Sequence, residues 1–561
     1  MTAPVRAGEV LPPPRIEASH FFPSRAHLRR WAPVLVGLVA VLVYVNALEN
    51  GYVLDDRGVI LKNPIVTSVS GIWRAFAYPY WPAAIGGGQY RPLAIASFSL
   101  DWWLSGGDPR WLHAVNILWH AAASVLVWFL AAELLAPAAA LGAALLFAVH
   151  PVHVEAVSNV VGRSECMAAV FVLAALLAHR RIKWIALLFF ALALLSKESA
   201  AVFLGIALLH DLTVAGPVRD ALRARRRLYI GYGVLAAIYV AALSAIFTNA
   251  LIVSQTPVYV GVSTVHRLLT VASVIPEYAR LLLVPERLSA EYVPAVIDLA
   301  TSVTWGVVMG VLLAAALAAA IFHAWRRAPE AAFALAWVPV TLTPVSNVLF
   351  VTGVVLAERT LYLPSVGAML AVGWAIERYG WRAPRGVAAA VALVLVLFAM
   401  RTWSRTDIWH DPKTFMLTNL EENPDSYKAH WNVGRVDAAL GRLPEAEGEY
   451  AIARQLFGRD AVLWRESGEL KLATRDWAGA AEMFARAFAT APRDTLVADS
   501  TWARAVLVRP DVWELQVGYA DFLLMRRDTT SARAHADRAV ELSAGAPPAL
   551  AVRARAKGMT P

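Results

Sequence analysis

Residues 31–64 read WAPVLVGLVAVLVYVNALENGYVLDDRGVILKNP. The apolar run from Trp31 to Leu48 is long enough to span a bilayer, with Trp31 as an interfacial anchor. It stops at Glu49, so Asp55 and Asp56 in the stretch Asn50 to Pro64 follow just outside the membrane. Two adjacent carboxylates there cost solvation energy unless they bind a cation, accept a proton or meet a charged head group. A solvated turn after a helix is the plain alternative.

The chain around this stretch is a membrane protein. It has 561 residues, 58% hydrophobic and only 17% charged, with a mean hydropathy of +0.53. A soluble protein carries nearer a quarter charged residues. The net charge of +9 comes from arginines beside apolar runs. Such clusters record orientation rather than nucleic-acid binding. The single cysteine, Cys166, excludes an intramolecular disulfide and a cysteine metal cage.

Residues 1–30 contain Pro and Arg without periodicity and read as a disordered cytoplasmic N-terminus. The apolar run after them is too long for an ordinary signal core and lacks a small-residue cleavage site, so it reads as an uncleaved helix. An aromatic external loop, 49–112, follows, with GGG at 86–88. Further apolar runs lie near 113–135, 138–150, 164–179, 184–196, 198–211, 229–249, 267–284, 303–323, 331–351, 361–377 and 386–403. Basic clusters at Arg180–Lys183, Arg219–Arg227, Arg326–Arg327 and Arg378–Arg385 all face the cytoplasm only if one run between Arg227 and Arg326 fails to cross. The run 267–284, interrupted by Pro276, Glu277 and Arg280, is the weakest and reads as interfacial or re-entrant. The expectation is an all-α fold: a polytopic membrane bundle of about eleven spans over 31–404, with an external C-terminus. Residues 184–211 are short for two full spans, which need about 40 residues.

After Arg405 the pattern becomes amphipathic with a 34-residue period: Gly434 and Gly468, Ala446 and Ala480, Tyr450 and Phe484, Ala453 and Ala487. That is the tetratricopeptide signature. It predicts repeats at about 427–460 and 461–494 and a degenerate one at 511–547, forming a short α-solenoid over 405–561 with a groove for a protein or glycan.

Several polar clusters fall at the external ends of these runs. His150, His153 and Glu155 stand in HPVHVEAV, and Arg163 and Glu165 follow in GRSE. The histidines suit hydrogen-bonded interfacial positions better than metal ligation, since Pro151 intervenes and a third ligand is lacking. Lys197 and Glu198 pair either structurally or with Lys197 on a phosphate. Glu358, Arg359 and Tyr362 occupy a similar place, where Arg359 has the fork for bidentate phosphate contact. Arg91 adds a cation from the long loop. Carboxylates and cations on one membrane face suit a lipid-phosphate substrate: cations hold the phosphate while a carboxylate takes a proton from a hydroxyl.

The series GYVLDDRGVILKNPIV, YRPLAIASFSLDWWL, HAVNILWHAAASV, HPVHVEAVSNVVGRSE, LLSKES and ERTLYLPSVG, ending in a repeat tail, resembles the transmembrane and tetratricopeptide-repeat O-mannosyltransferases. These belong to the GT-C superfamily of polyprenyl-phosphate-sugar-dependent glycosyltransferases. The resemblance implies inverting transfer of mannose or another hexose from a polyprenyl-phosphate donor to a hydroxyl of a protein or glycan, on the non-cytoplasmic side. It puts the general base on Asp55 or Asp56, and the phosphate on basic residues such as Lys197 and Arg359. No cofactor is implied; a divalent cation on Asp55 and Asp56 stays open. The short tail and the Ala- and Arg-rich composition suggest a bacterial inner-membrane member with periplasmic repeats. Membrane lipids are its other contacts. Two rivals are a non-catalytic scaffold whose repeats recruit envelope or secretion machinery, and a transporter. The transporter is disfavoured because the membrane part shows no internal repeat and its charges sit at helix ends.

Overall fold

The computed structural model describes residues 25–558 except 83–88, 215–217, 247–255, 295, 491–501, 504 and 508. Residues 1–24 of the expected disordered N-terminus and the GGG run therefore lie outside the described residues. Among the described residues every regular element is helical and no strand occurs.

The membrane half is built from α1 (Arg25–Leu42), α2 (Pro92–Ser105), α3 (Pro109–Leu134), α4 (Pro137–Ala148), α5 (Arg163–His179), α6 (Lys183–Ser196), α7 (Phe203–Thr213), α8 (Val218–Ile246), α9 (Thr264–Leu283), α10 (Trp305–Arg327), α11 (Pro329–Leu342), α12 (Tyr362–Tyr379) and α13 (Pro384–Asp407). Proline opens α2, α3, α4, α11 and α13, where its missing N–H costs nothing. The α5 helix is the buried centre, while α8, α10 and α13 turn nearly all their apolar surface outward, as helices do when lipid is their solvent.

Six helical segments among the described residues are long and apolar enough to cross a membrane, or seven if α4 and Pro151–Val157, bent by 44°, form one broken span. The chain is an integral membrane protein by that measure. Several apolar runs are longer than the helices they form. Residues 184–211 become a 14-residue helix, α6, a turn from Glu198 to Val202, and an 11-residue helix, α7. At about 1.5 Å per residue neither reaches the ~30 Å of hydrocarbon alone. The run 331–351 is helical only over the 14 residues of α11. The α9 segment is one 20-residue helix that continues through Pro276. Gly310 of α10 lies against the backbone of α9: a Cβ there would stand 1.8 Å from the Ala272 carbonyl oxygen.

Beyond α13 the chain forms α14 (Pro412–Glu422) and two hairpins, α15 (Tyr427–Ala439) with α16 (Leu443–Leu456) and α17 (Ala461–Ala473) with α18 (Trp477–Thr490). The 34-residue period has a steric cause. A Cβ on Gly434 would meet the Tyr450 ring at 2.5 Å, and one on Gly468 the Phe484 ring at 2.4 Å. The third unit keeps a helix pair, α19 (Trp513–Met525) and α20 (Thr529–Leu542), followed by α21 (Pro547–Ala556). Its Gly518 is covered by the preceding Trp502, at 2.3 Å from a built Cβ, which is why the pattern reads as degenerate.

Candidate functional site

The two aspartates open a short helical turn, and the segment before it is tied to the end of α13 and the residues that follow. The Gly51 N–H donates to the His410 carbonyl at 2.8 Å, and the Asn46 amide donates to Asp407 at 2.7 Å. Leu54 takes φ +47°, a left-handed conformation that costs a residue with a Cβ about 1–2 kcal/mol. Asp55 and Asp56 follow it as consecutive helical residues, so their side chains point about 100° apart and meet different surroundings.

Asp56 is fully buried. Its carboxylate accepts the backbone N–H groups of Val161 at 2.9 Å, Val160 at 3.3 Å and Val53 at 3.3 Å. Val160 and Val161 begin the turn that leads into α5, so Asp56 satisfies amides that have no helical partner. Gly162 lets that turn close, since a Cβ would stand 2.4 Å from the Ala156 carbonyl oxygen. Burial pushes the Asp56 carboxyl up to about 7 against the three amide donors. Asp55 is only partly buried by its neighbours and is within electrostatic reach of Arg359, Glu155, Arg91 and Lys428. Desolvation raises its carboxyl above the ordinary range, and Arg359 opposes that.

Two ion pairs contribute charges within electrostatic reach of Asp55, and a third adjoins them. The Arg91 guanidinium grips Glu198 with two hydrogen bonds, at 2.6 and 2.9 Å, and stacks 4.9 Å from the Tyr80 ring. Lys197 pairs with Glu165. Arg359 pairs with Glu155, whose second oxygen accepts the Arg359 backbone N–H at 2.8 Å. The cluster is open at its edge: the Glu198 side chain is 42% exposed and that of Arg359 30%. It thus brings together three cations and four carboxylates, of which Glu198 and Arg359 are the most exposed. Such an arrangement neutralises an anion at the cations while Asp55 takes up a proton beside them.

Other residues singled out in the sequence are placed elsewhere. Arg163 is fully buried, and its guanidinium is spent on Asp101, Asn116 (2.7 Å) and the Leu112 carbonyl (2.9 Å), locking α5 to α2 and α3. His150 contacts the Leu282 carbonyl at 3.1 Å. His153 bonds Ser365 at 2.8 Å and lies 4.6 Å from the ring of Tyr362, whose hydroxyl meets His120 at 2.8 Å. These three rings fill the core rather than face the open cluster. Glu358, 2% exposed, accepts from the Ser289 N–H at 2.6 Å and the Tyr292 hydroxyl at 2.7 Å, fixing the turn that carries Arg359. Among the described residues no three His, Cys, Asp or Glu side chains converge as a metal-ligand set. Sequence reading takes Tyr80 only as one of the aromatics of the long loop and does not single out Glu291 or Lys428, which stand in no local pattern that marks them.

The profile of the dolichyl-phosphate-mannose-protein mannosyltransferase family matches residues 104–247. Protein O-mannosyl-transferase TMTC4 of Mus musculus is 28% identical over 483 residues, covering 74% of this chain and 65% of its own. By sequence the chain is a relative of the transmembrane and tetratricopeptide-repeat protein O-mannosyltransferases. Protein O-mannosyl-transferase F38B6.6 of Caenorhabditis elegans is 27% identical, with 74% of this chain and 61% of its own covered. TMTC3 of Homo sapiens is likewise 27% identical, with 75% and 54% covered. The chain thus spans little more than half to two thirds of the length of these relatives. The solved APC/C hetero-tetramer Cut9-Hcn1 aligns at 15% identity over 83% of this chain and 89% of that chain, with a TM-score of 0.15, too low to bear on the fold.

Proposed function

We propose that this chain is an integral membrane glycosyltransferase of the GT-C type, which moves a hexose, mannose in its relatives' names, from a polyprenyl-phosphate donor to a protein hydroxyl on the non-cytoplasmic side. The observation that carries the reading is the split between the aspartates: Asp56 is committed to three backbone amides, whereas Asp55 lies within electrostatic reach of Arg91 and Arg359. Asp55 is the base. It takes the proton of the acceptor hydroxyl as that oxygen attacks the anomeric carbon from the face opposite the phosphate. The bond to the phosphate oxygen breaks, and polyprenyl phosphate leaves with charge that Arg359, Arg91 and Lys197 stabilise.

This reading takes the chain as 31–404 embedded in an eleven-span bundle and 405–561 as a periplasmic repeat unit of a bacterial inner-membrane protein, with the repeat groove presenting the acceptor. Short helices such as α6 and α7 then cross only as tilted or paired elements. The test is transfer from a labelled polyprenyl-phosphate hexose in membranes carrying single variants. Asp55→Asn is expected to reduce turnover by about 10²-fold or more, the usual yield of a positioned base. Wild-type turnover in Asp55→Asn sinks the assignment.

A further inference from the structure

The repeat half is joined to the membrane half beside the open cluster. Ser426 caps α15, accepting the Ala429 N–H at 3.2 Å, and its hydroxyl donates to Glu291 at 2.9 Å. Glu291 is itself 7% exposed and belongs to the 289–292 loop whose Ser289 and Tyr292 hold Glu358. Glu358 precedes Arg359. A continuous set of contacts therefore runs from the first repeat helix to the cation beside Asp55.

Lys428, two residues into this junction, differs from the three cations already described. Arg91 is held by two bonds to one carboxylate, Lys197 is 8% exposed, and Arg359 is tied by side chain and backbone to Glu155. The Lys428 side chain is 37% exposed and lies over the Tyr427 ring at 5.6 Å. Its ammonium meets the second Glu291 oxygen at 2.7 Å but off the hydrogen-bond direction. An ammonium on a flexible stem swings between partners at little cost, whereas a forked guanidinium does not. It also lies within electrostatic reach of Asp55.

We propose that Lys428, carried by the first repeat helix, is a fourth cation for the donor phosphate, parked on Glu291 when the site is empty and transferred to the phosphate when the lipid arrives. The inference rests on the lipid-phosphate reading above. It makes the repeats part of the donor site as well as the acceptor's platform, and it explains why a solvent-facing lysine sits at the seam of the two halves. It also gives the carboxylate a definite sign. Glu291 competes with the phosphate for Lys428, so removing its charge frees the lysine.

The experiment measures binding of undecaprenyl phosphate, without sugar, to the purified full-length protein in nanodiscs. Lys428→Gln is expected to weaken binding about tenfold, the worth of one charge-assisted contact, and Lys428→Arg to stay within about threefold of wild type. Glu291→Gln is expected to bind as tightly as wild type or more so. A merely structural Lys428–Glu291 pair makes Lys428→Gln and Glu291→Gln equally harmful, and that result overturns the inference. So does wild-type binding in Lys428→Gln while Arg359→Gln is impaired, which leaves the donor reading standing. Absence of any undecaprenyl phosphate binding by the wild-type protein overturns both.

Discussion

The Asp56 carboxylate receives the Val161 N–H at 2.9 Å across 105 residues of chain, pinning the segment after α1 to the start of the most buried of the candidate spans. Its neighbour Asp55 is only partly buried and lies within electrostatic reach of Arg359 and Arg91. Adjacent identical residues have different surroundings because they are consecutive residues of one helical turn, whose side chains point about 100° apart.

The buried Asp56 predicts how stability depends on pH. Its folded carboxyl titrates near 7, above the ~3.9 of an unfolded aspartate. The folded state then holds the proton more tightly, so the group's contribution is full below about pH 4 and is lost as pH rises through 7. The melting temperature of the wild type relative to Asp56→Asn, measured in detergent, is expected to fall between those limits and level off above them. A difference that stays flat from pH 4 to 8 refutes the assignment.

For Asp55 the consequence is kinetic. A base has to be ionised, and burial raises the carboxyl above the ordinary range with Arg359 pulling it back. The acid limb of kcat/KM is expected at a pH above that of a free aspartate. Arg359→Gln removes the opposing charge and should move the limb to higher pH. A limb that moves downward in that variant counts against Asp55 as the base.

Arg163 is a brace rather than a ligand. Arg163→Ala leaves the Asp101 carboxylate buried without its cation, and breaking such a pair costs about 3–5 kcal/mol. Thermal unfolding should show a large loss. If instead the variant melts like the wild type, the α2–α3–α5 junction does not depend on this guanidinium.

In the repeats, Gly468→Ala forces a methyl group into the Phe484 ring at 2.4 Å and should destabilise the second hairpin by about 1–3 kcal/mol. Hydrogen exchange localised to α17 and α18 reads this out. Gly448, which has open space around its Cβ position, serves as a control, and Gly448→Ala should leave exchange unchanged.

Orientation is testable with a reporter fused after Arg405. An external signal is expected. A cytoplasmic signal places the repeats and the open cluster on the wrong side for a lipid-linked donor presented externally.

Much of this was legible in the chain. Hydropathy alone announced a helical membrane protein, and the glycine–aromatic period announced the hairpins, because both are local patterns repeated along the sequence. The pairing of Arg91 with Glu198, Lys197 with Glu165 and Arg359 with Glu155 was not legible, although each residue was singled out. Arg163, His150, His153 and Tyr362 looked like the same kind of polar signal and turned out to be interior. Span count suffered for a related reason: an apolar run says that a segment avoids water, not how many of its residues are helical.

The sequence by itself determined the helical, membrane-protein character of the chain and the repeat period, since these depend on composition and spacing. Only the tertiary structure decided which aspartate is committed to backbone amides, which cations lie within electrostatic reach of the other, and that Lys428 pairs with Glu291. Those outcomes hang on contacts between residues far apart in the chain, 104 to 107 positions for the hydrogen bonds of Asp56 to Val160 and Val161 and of Arg91 to Glu198, where burial and hydrogen-bond geometry decide the surroundings.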